Sequence, residues 1–289
     1  MSALVITVAA CGACGSDTST VVSPPPPPPG NQFPDISGSA AEIRNLGTFH
    51  SNILNNDRRI RVYLPPGYSS TTARYPVLYA QDGQNAFGTS GMGYDVTATS
   101  LIKSLAVRPI IIVAIDNMGT PQARAYEYSP FDQSGNLAGG GLLYARMLIE
   151  ELKPRIDSLF RTLPEVENTG VAGHSLSGMV CWYMALWYPQ AIGLMAAQST
   201  PILAGDTTFV RQVRSLPGKL PVRIYYDRGT QDGEQFNRDV EQVMRQTLAA
   251  KGWVEGTDFR YYLVPGATHG NAEFAKRVDE LLTFLFPRK

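Results

Sequence analysis

Apolar residues along this chain gather in short uninterrupted blocks of strand length, separated by stretches with helical spacing. "YPVLYAQDG" (75–83) and "PIIIVAIDN" (109–117) carry such runs. An apolar run without alternation is what a strand buried on both faces of a parallel sheet requires. Between them, residues around 95–106 read as a crossover helix. "TGVAGHS", "IGLMAAQS", "VRIYYDRG" and "FRYYLVPG" repeat the strand signature. Each leads into a helical pattern: "LSGMVCWYMALWYP", stopped by Pro189, a segment near 206–215, "GEQFNRDVEQVMRQTLAAKG" and "NAEFAKRVDELLTFLF". "GLLYARMLIEELKPRIDSLFR" predicts a long helix broken or kinked near Pro154. Upstream, "IRNLGTFHS" and "RRIRVYLP" pair as antiparallel strands joined at Asn55-Asn56-Asp57. The alternation of strand and helix predicts an α/β fold: a mostly parallel sheet of about eight strands with helices on both faces. Functional groups of such a sheet gather at the carboxyl ends of its strands.

This regularity begins only near Ala40, so the chain divides into a leader (1–11), a low-complexity linker (12–38) and a folded part (39–289). In the leader an apolar run from Ala3 to Ala10 precedes Cys11, as in a secretory signal, although the run is short and no Lys or Arg precedes it. Val8-Ala9-Ala10-Cys11 is similar to a bacterial lipobox, which makes Cys11 a candidate for lipidation. The expectation is export to a bacterial periplasm or cell surface, with a lipid on Cys11 as a membrane tether. The six prolines of "SPPPPPPG" favour a polyproline II rod, about 20 Å long at ~3.1 Å per residue, suited to a spacer. Of the other cysteines, Cys14 lies in the tail and Cys181 inside an apolar helical pattern. No disulfide is expected between them, and Cys181 reads as a small buried hydrophobe.

Composition narrows the function. Lys and Arg number 25, as do Asp and Glu, so the formal net charge is zero. No basic surplus exists to neutralise nucleic-acid phosphates or to draw the folded part to an anionic membrane. No internal repeat and no apolar run of bilayer length is present.

The candidate chemistry lies in "GVAGHSLSGMVCW". Gly173-His174-Ser175-Leu176-Ser177 fits four of the five GxSxG positions, with Gly178 next in line. The glycines of that motif serve a turn too tight for side chains two positions from the nucleophile, and a serine is small enough to stand in for one. A strand ends and a helix begins at Ser175, the setting in which a hydroxyl is presented on a sharp elbow; the alternative is an ordinary helix N-cap serine. A serine hydroxyl needs a positioned base, and the chain has three histidines. His174 adjoins Ser175 and points away from it, and His50 belongs to an early edge strand. His269, in "PGATHGN" after the last strand, can reach the carboxyl-end rim. The acid that orients the imidazole lies between serine and histidine in chain order, where "YYDRGTQDGE" offers Asp227, Asp232 and Glu234. Asp227 falls inside the strand pattern, whereas Asp232 follows Gly229 at the strand end and is favoured; its alternative role is a helix N-cap. Two backbone amides complete an oxyanion hole: Leu176, after the nucleophile, and Gln84, after the turn at Asp82-Gly83.

With these residues in place the sequence resembles the Putative esterase family of α/β-hydrolases, which includes feruloyl esterases, siderophore esterases, S-formylglutathione hydrolases and mycolyltransferases. The resemblance runs from about residue 58 to 287 and rests on "RVYLPPGY", "YPVLYAQDGQNAF", "IIIVAIDN", "EYSP", "EELKPRIDSLFRTLP", "GHSLSG", "YPQAIG", "DRGTQDG" and "HGNAEFAKRVDELLTFLF". It implies the α/β-hydrolase fold, Ser175 as nucleophile, Asp232 as acid, His269 as base, and the amides of Gln84 and Leu176 as the oxyanion hole. Ser177 departs from the glycine most members carry, although the mycolyltransferase branch is similar there. The implied activity is serine-dependent hydrolysis of a carboxylic ester through an acyl-enzyme, with no metal or organic cofactor. The implied substrate is a small-molecule or polysaccharide-linked ester, such as a feruloyl, acetyl or siderophore ester. Acyl transfer, and a glycan-binding module without catalysis, are the alternatives. Residues 116–141, rich in glycine and tyrosine, are expected to wall the cleft, and Arg124 and Glu127 can pair there for structure.

Overall fold

The computed structural model describes residues 39–132, 136–202, 208–233 and 235–288. The leader with Cys11, the linker with Cys14 and the proline run, and Glu234 lie outside the described residues.

Eight strands form one sheet: β1 (Glu42–Ser51), β2 (Asn56–Leu64), β3 (Val77–Ala80), β4 (Ile111–Ile115), β5 (Thr169–His174), β6 (Leu194–Gln198), β7 (Arg223–Gly229) and β8 (Phe259–Val264). Their order is β1-β2-β4-β3-β5-β6-β7-β8. The β1–β2 hairpin and the β2–β4 pair are antiparallel, and every later neighbour is parallel. The chain steps one way from β3 to β4 and the other way from β5 to β8. Loops leaving β3 and β5 therefore diverge and open a crevice at their carboxyl ends, where ligands of such sheets bind.

The apolar runs split by the two-residue period of the strand. Val77, Tyr79, Ile111, Val113, Ile115, Val171, Ile224 and Tyr226 face one core. Leu78, Ala80, Ile112, Ala114, Ala172, Ala196 and Tyr225 face the other. The first core is covered by α3 (Gly141–Arg146), α4 (Lys153–Leu159), α5 (Leu176–Trp187), α6 (Thr208–Ser215) and α7 (Gln235–Ala250), and the second by α1 (Tyr94–Lys103), α8 (Asn271–Ala275) and α9 (Val278–Leu285).

Three helical details differ from the sequence expectation. The segment after β4 contains a helix, α2 (Pro121–Tyr128), whose start is dictated by Thr120: its Oγ1 accepts the Ala123 N–H at 3.2 Å, and Pro121 occupies the first turn. The helix expected to be broken or kinked near Pro154 runs through it without a break. The perturbation is a π-helical turn at Met147–Leu152, just N-terminal to the proline, where the missing N–H and the ring's steric demand fall. The last helix, read as continuous, is two. Arg277 leaves helical geometry at φ −115° and ψ 6°, because its guanidinium is drawn inward: Nη1 lies 3.4 Å from Asp227 Oδ1, and Nη2 donates to Ser199 Oγ at 3.1 Å.

Candidate active site

β5 runs straight into α5, and the one residue between them is Ser175, at φ 53° and ψ −130°. That backbone is unfavourable for a residue with a side chain. It is held by its neighbours: the Ser175 N–H donates to the Gln198 carbonyl at 2.9 Å and its carbonyl accepts the Gly178 N–H at 3.1 Å. Ser177, where the motif has glycine, turns its hydroxyl back onto the His174 backbone. It accepts from the His174 N–H at 2.9 Å and donates to the His174 carbonyl at 2.8 Å. Side chains are excluded at Gly173, where a Cβ would meet the Ser177 carbonyl oxygen at 2.5 Å, and at the residue after Ser177. A Cβ on Gly178 would stand 1.7 Å from Thr200 Oγ1, so the elbow also packs closely against the segment just after β6.

The structure brings Ser175, His269 and Asp232 together. His269 Nε2 lies 3.0 Å from Ser175 Oγ, and His269 Nδ1 lies 2.6 Å from Asp232 Oδ1. The imidazole side chain is 48% exposed, whereas the Asp232 side chain is 1% exposed. Burial pushes the Asp232 carboxyl up, but the hydrogen bond from His269 and the nearby Ser199 hydroxyl outweigh it and hold the group below the usual carboxylate range. Arg228 fastens the turn that carries this acid: Nη1 donates to the Asp232 carbonyl at 3.0 Å, Nη2 to the Thr200 carbonyl at 2.8 Å, and Nε to Glu241 Oε1 at 2.7 Å. Asp232 precedes α7 but its carboxylate serves the imidazole.

The other candidates lie elsewhere. Asp227 is buried within β7, accepts from the Tyr225 hydroxyl at 2.9 Å and faces Arg277. Burial raises its pKa to about 6 against the opposing pull of Arg277. His50 pairs with Asp57 across the edge hairpin at 2.7 Å. His174 points beneath the elbow toward Asp82, with Nε2 3.6 Å from Oδ2. Burial drives its pKa down to about 4, with Asp82 pulling the other way. Cys181 is buried and free.

Gln84 and Leu176 each sit in the first turn of a helix, a 3-10 turn (Gly83–Asn85) and α5 respectively. Amides there have no partner within their own helix and remain available to an anion. A Cβ on Gly83 would meet the Ile115 amide nitrogen at 2.4 Å, so this turn is pressed against β4.

Sequence reasoning missed the groups that brace these parts. Arg124 and Glu127 do not pair with each other. Arg124 forks onto Asp82, through Nε at 2.7 Å and Nη2 at 2.8 Å, and Glu127 takes the buried Arg58 at 2.7 Å. Their spacing puts both, with Tyr128, on the inward face of α2; Thr120-Pro121 was the signal that could have revealed that helix. Phe274 falls in the segment read only as the last helix. It packs against the rings of both His174 and His269, with centroids 5.0 Å away in each case. Among the described residues no group of three or more His, Cys, Asp or Glu side chains is arranged to hold a metal ion.

A sequence model of the family described as Putative esterase matches residues 51–285. By sequence the chain is 24% identical over 243 residues to the uncharacterized protein YbbA of Bacillus subtilis, covering 80% of this chain and 93% of that protein. It is 28% identical over 223 residues to an endo-1,4-beta-xylanase/feruloyl esterase of Xylanibacter ruminicola, covering 73% of this chain and 28% of that much longer protein. By structure it resembles the enterobactin esterase FES of Shigella flexneri, with a TM-score of 0.65 and 19% identity over 85% of this chain and 58% of that one. The last likeness is one of fold.

Proposed function

Since the chain belongs to the Putative esterase family and is an ester hydrolase of α/β-hydrolase fold, we propose that it works through a serine acyl-enzyme on an ester outside the cytoplasm. The observation that carries the mechanism is the unbroken relay from Ser175 Oγ through the His269 ring to Asp232, at 3.0 and 2.6 Å. Ser175 Oγ attacks the ester carbonyl carbon while its proton passes to His269 Nε2. Asp232 holds the ring with Nδ1–H toward it and stabilises the imidazolium. The carbonyl oxygen becomes an oxyanion facing the amides of Leu176 and Gln84. Collapse of the adduct breaks the carbon–oxygen bond of the ester, and the departing alkoxide takes the proton from His269. Water then attacks the acyl group, giving a proton to His269 and returning the serine on collapse.

The substrate reading draws on the relatives and the leader. One relative is named a xylanase/feruloyl esterase and a structural neighbour an enterobactin esterase. Export, with a lipid on Cys11 and a proline spacer, would set the catalytic part against esters of polysaccharides or siderophores.

The test is hydrolysis of acetyl, butyryl and feruloyl esters and of a catecholate siderophore, with Ser175→Ala as blank. Turnover of at least one substrate is expected, with a fall of at least about 10³-fold in the variant. Unchanged hydrolysis by folded Ser175→Ala would rule the mechanism out.

A further inference from the structure

The turn that offers the Gln84 amide is held by Arg61 Nη2, which donates to the Gly83 carbonyl, and above all through Asp82. This residue has φ 53° and ψ 45°, a left-handed conformation that a side chain makes unfavourable, so its surroundings must impose it. Its carboxylate is buried and receives Arg124 Nε at 2.7 Å, Arg124 Nη2 at 2.8 Å and Asn117 Nδ2 at 2.7 Å. Its N–H donates to the Tyr128 hydroxyl at 3.1 Å. Asn117 reaches the turn a second time, donating its N–H to Gln84 Oε1 at 3.2 Å. Arg124 and Tyr128 lie four residues apart on α2, so one helix face grips both ends of one residue. Behind Asp82 stands the buried His174 ring.

A buried ion pair adds little net stability over apolar groups of the same size; what it can add is one fixed arrangement. Here the arrangement fixed is two residues from an oxyanion amide. Charge matters as much as shape. An unneutralised Asp82 carboxylate would oppose the negative charge that develops on the ester oxygen, in a setting where water screens little. Arg124 cancels it without entering the site.

We propose that Arg124 and Asp82 form a positioning pair for ester hydrolysis, their forked contact fixing the Asp82–Gln84 turn so that the Gln84 amide is held toward the oxyanion and α2 is coupled to the acylation step. This rests on the serine mechanism above. Neither residue touches the reacting atoms; both act through Gln84. The groups facing His174 are Asp82, Arg124 and His269. Removing Arg124 leaves Asp82 with His174 as its one cationic partner, so the imidazole, which burial pushes down to about 4, must take up its proton at higher pH.

The experiment compares Arg124→Met and Arg124→Lys with the unaltered chain and with Ser175→Ala, using p-nitrophenyl acetate for kcat and KM and phenylboronic acid as the tetrahedral mimic. Titration of the imidazoles is followed by NMR, with His50→Gln to assign one of the three. For Arg124→Met, kcat is expected to fall about 10- to 100-fold with KM within about threefold, and boronate affinity to fall in parallel. The His174 titration should rise by more than a unit. Arg124→Lys, which keeps the charge and loses the fork, should lie between. Folded Arg124→Met with unaltered kcat and boronate affinity, in a series where Ser175→Ala is inactive, would overturn the positioning pair and leave the serine mechanism standing. An active Ser175→Ala would remove the mechanism and this inference together. Should Arg124→Met not fold, Arg124→Lys decides: a several-fold loss of kcat supports the pair, and full activity overturns it.

Discussion

On the β3–β5 side of the site a buried carboxylate, Asp82, receives a forked guanidinium and an amide, and these hold its pKa below the ordinary range despite burial. On the β7–β8 side two buried carboxylates go the other way: burial raises Asp227 to about 6 and Glu241 to about 7. The difference is one of partners. Arg277 meets Asp227 only at 3.4 Å, and Asp227 Oδ1 has no hydrogen bond. Glu241 has one short bond, from Arg228, and a longer one from the Tyr261 hydroxyl at 3.2 Å. The first side presents fixed dipoles and needs charges that never change. The second surrounds the histidine that, on the proposed mechanism, gains and loses a proton at each step. There Asp232 is held below the usual carboxylate range, while its buried neighbours are raised into the pH range where an imidazole works. Environments that push like groups apart are a physical basis for assigning roles.

The sharpest way to break this comparison is to exchange the acids. Asp232→Asn is expected to lower kcat for p-nitrophenyl acetate by about 10³- to 10⁴-fold, since the imidazole loses its orienting anion and is offered the wrong tautomer. Asp227→Asn should leave kcat within about tenfold, because its carboxyl is buried within β7 and faces Arg277 rather than His269. The reverse pattern would move the acid to β7 and erase the contrast between the two sides.

A second test concerns Arg228, which pairs with Glu241 and ties the Asp232 turn to Thr200. Arg228→Met strips a buried acid of its cation and two carbonyls of their donor. The expected loss is about 3–5 kcal/mol in urea unfolding. Glu241→Gln should cost less, about 1.5–3 kcal/mol for a hydrogen bond to a charged group, because the amide oxygen can still accept from Arg228 and a carboxyl raised to about 7 is only partly ionised at neutral pH. Equal losses would show that Glu241 is a firmly ionised partner like Asp82.

How far the sequence discloses the two sides follows from the range of the forces involved. Apolar runs of strand length place the strands because burial on both faces leaves no alternation to read, and Ile111, Ile112 and Val113 show it directly. The convergence of Ser175, His269 and Asp232 was legible from chain order and from which loops leave the same sheet edge. The brace behind Gln84 was not. Arg124 and Asp82 lie 42 residues apart, and nothing local distinguishes their pairing from that of Arg124 with Glu127, which helical spacing also allows. The break at Arg277 was hidden for the same reason. The local pattern of the last helix is continuous, and the partner that interrupts it lies in β7.

His174 joins the two sides, touching Asp82 directly and His269 through Phe274, and it yields an effect that appears only on acidification. Its folded pKa of about 4 lies below the 6.5 of a free imidazole. Between those values the unfolded chain binds a proton that the folded chain refuses, so this group's contribution to stability is intact above about pH 6.5 and is lost as the pH falls toward 4. At pH 5 the loss comes to about 2 kcal/mol. Asp227 and Glu241, raised rather than lowered, act with the opposite sign: the folded chain holds their protons to higher pH, and they gain stability as the pH falls through the same range. His174→Gln removes one term and keeps the others. Urea unfolding at pH 7.5 and pH 5 should therefore show the variant losing about 2 kcal/mol less than the unaltered chain on acidification. An identical loss in both would mean that His174 is charged in the folded state, and that Asp82 has two cations rather than one.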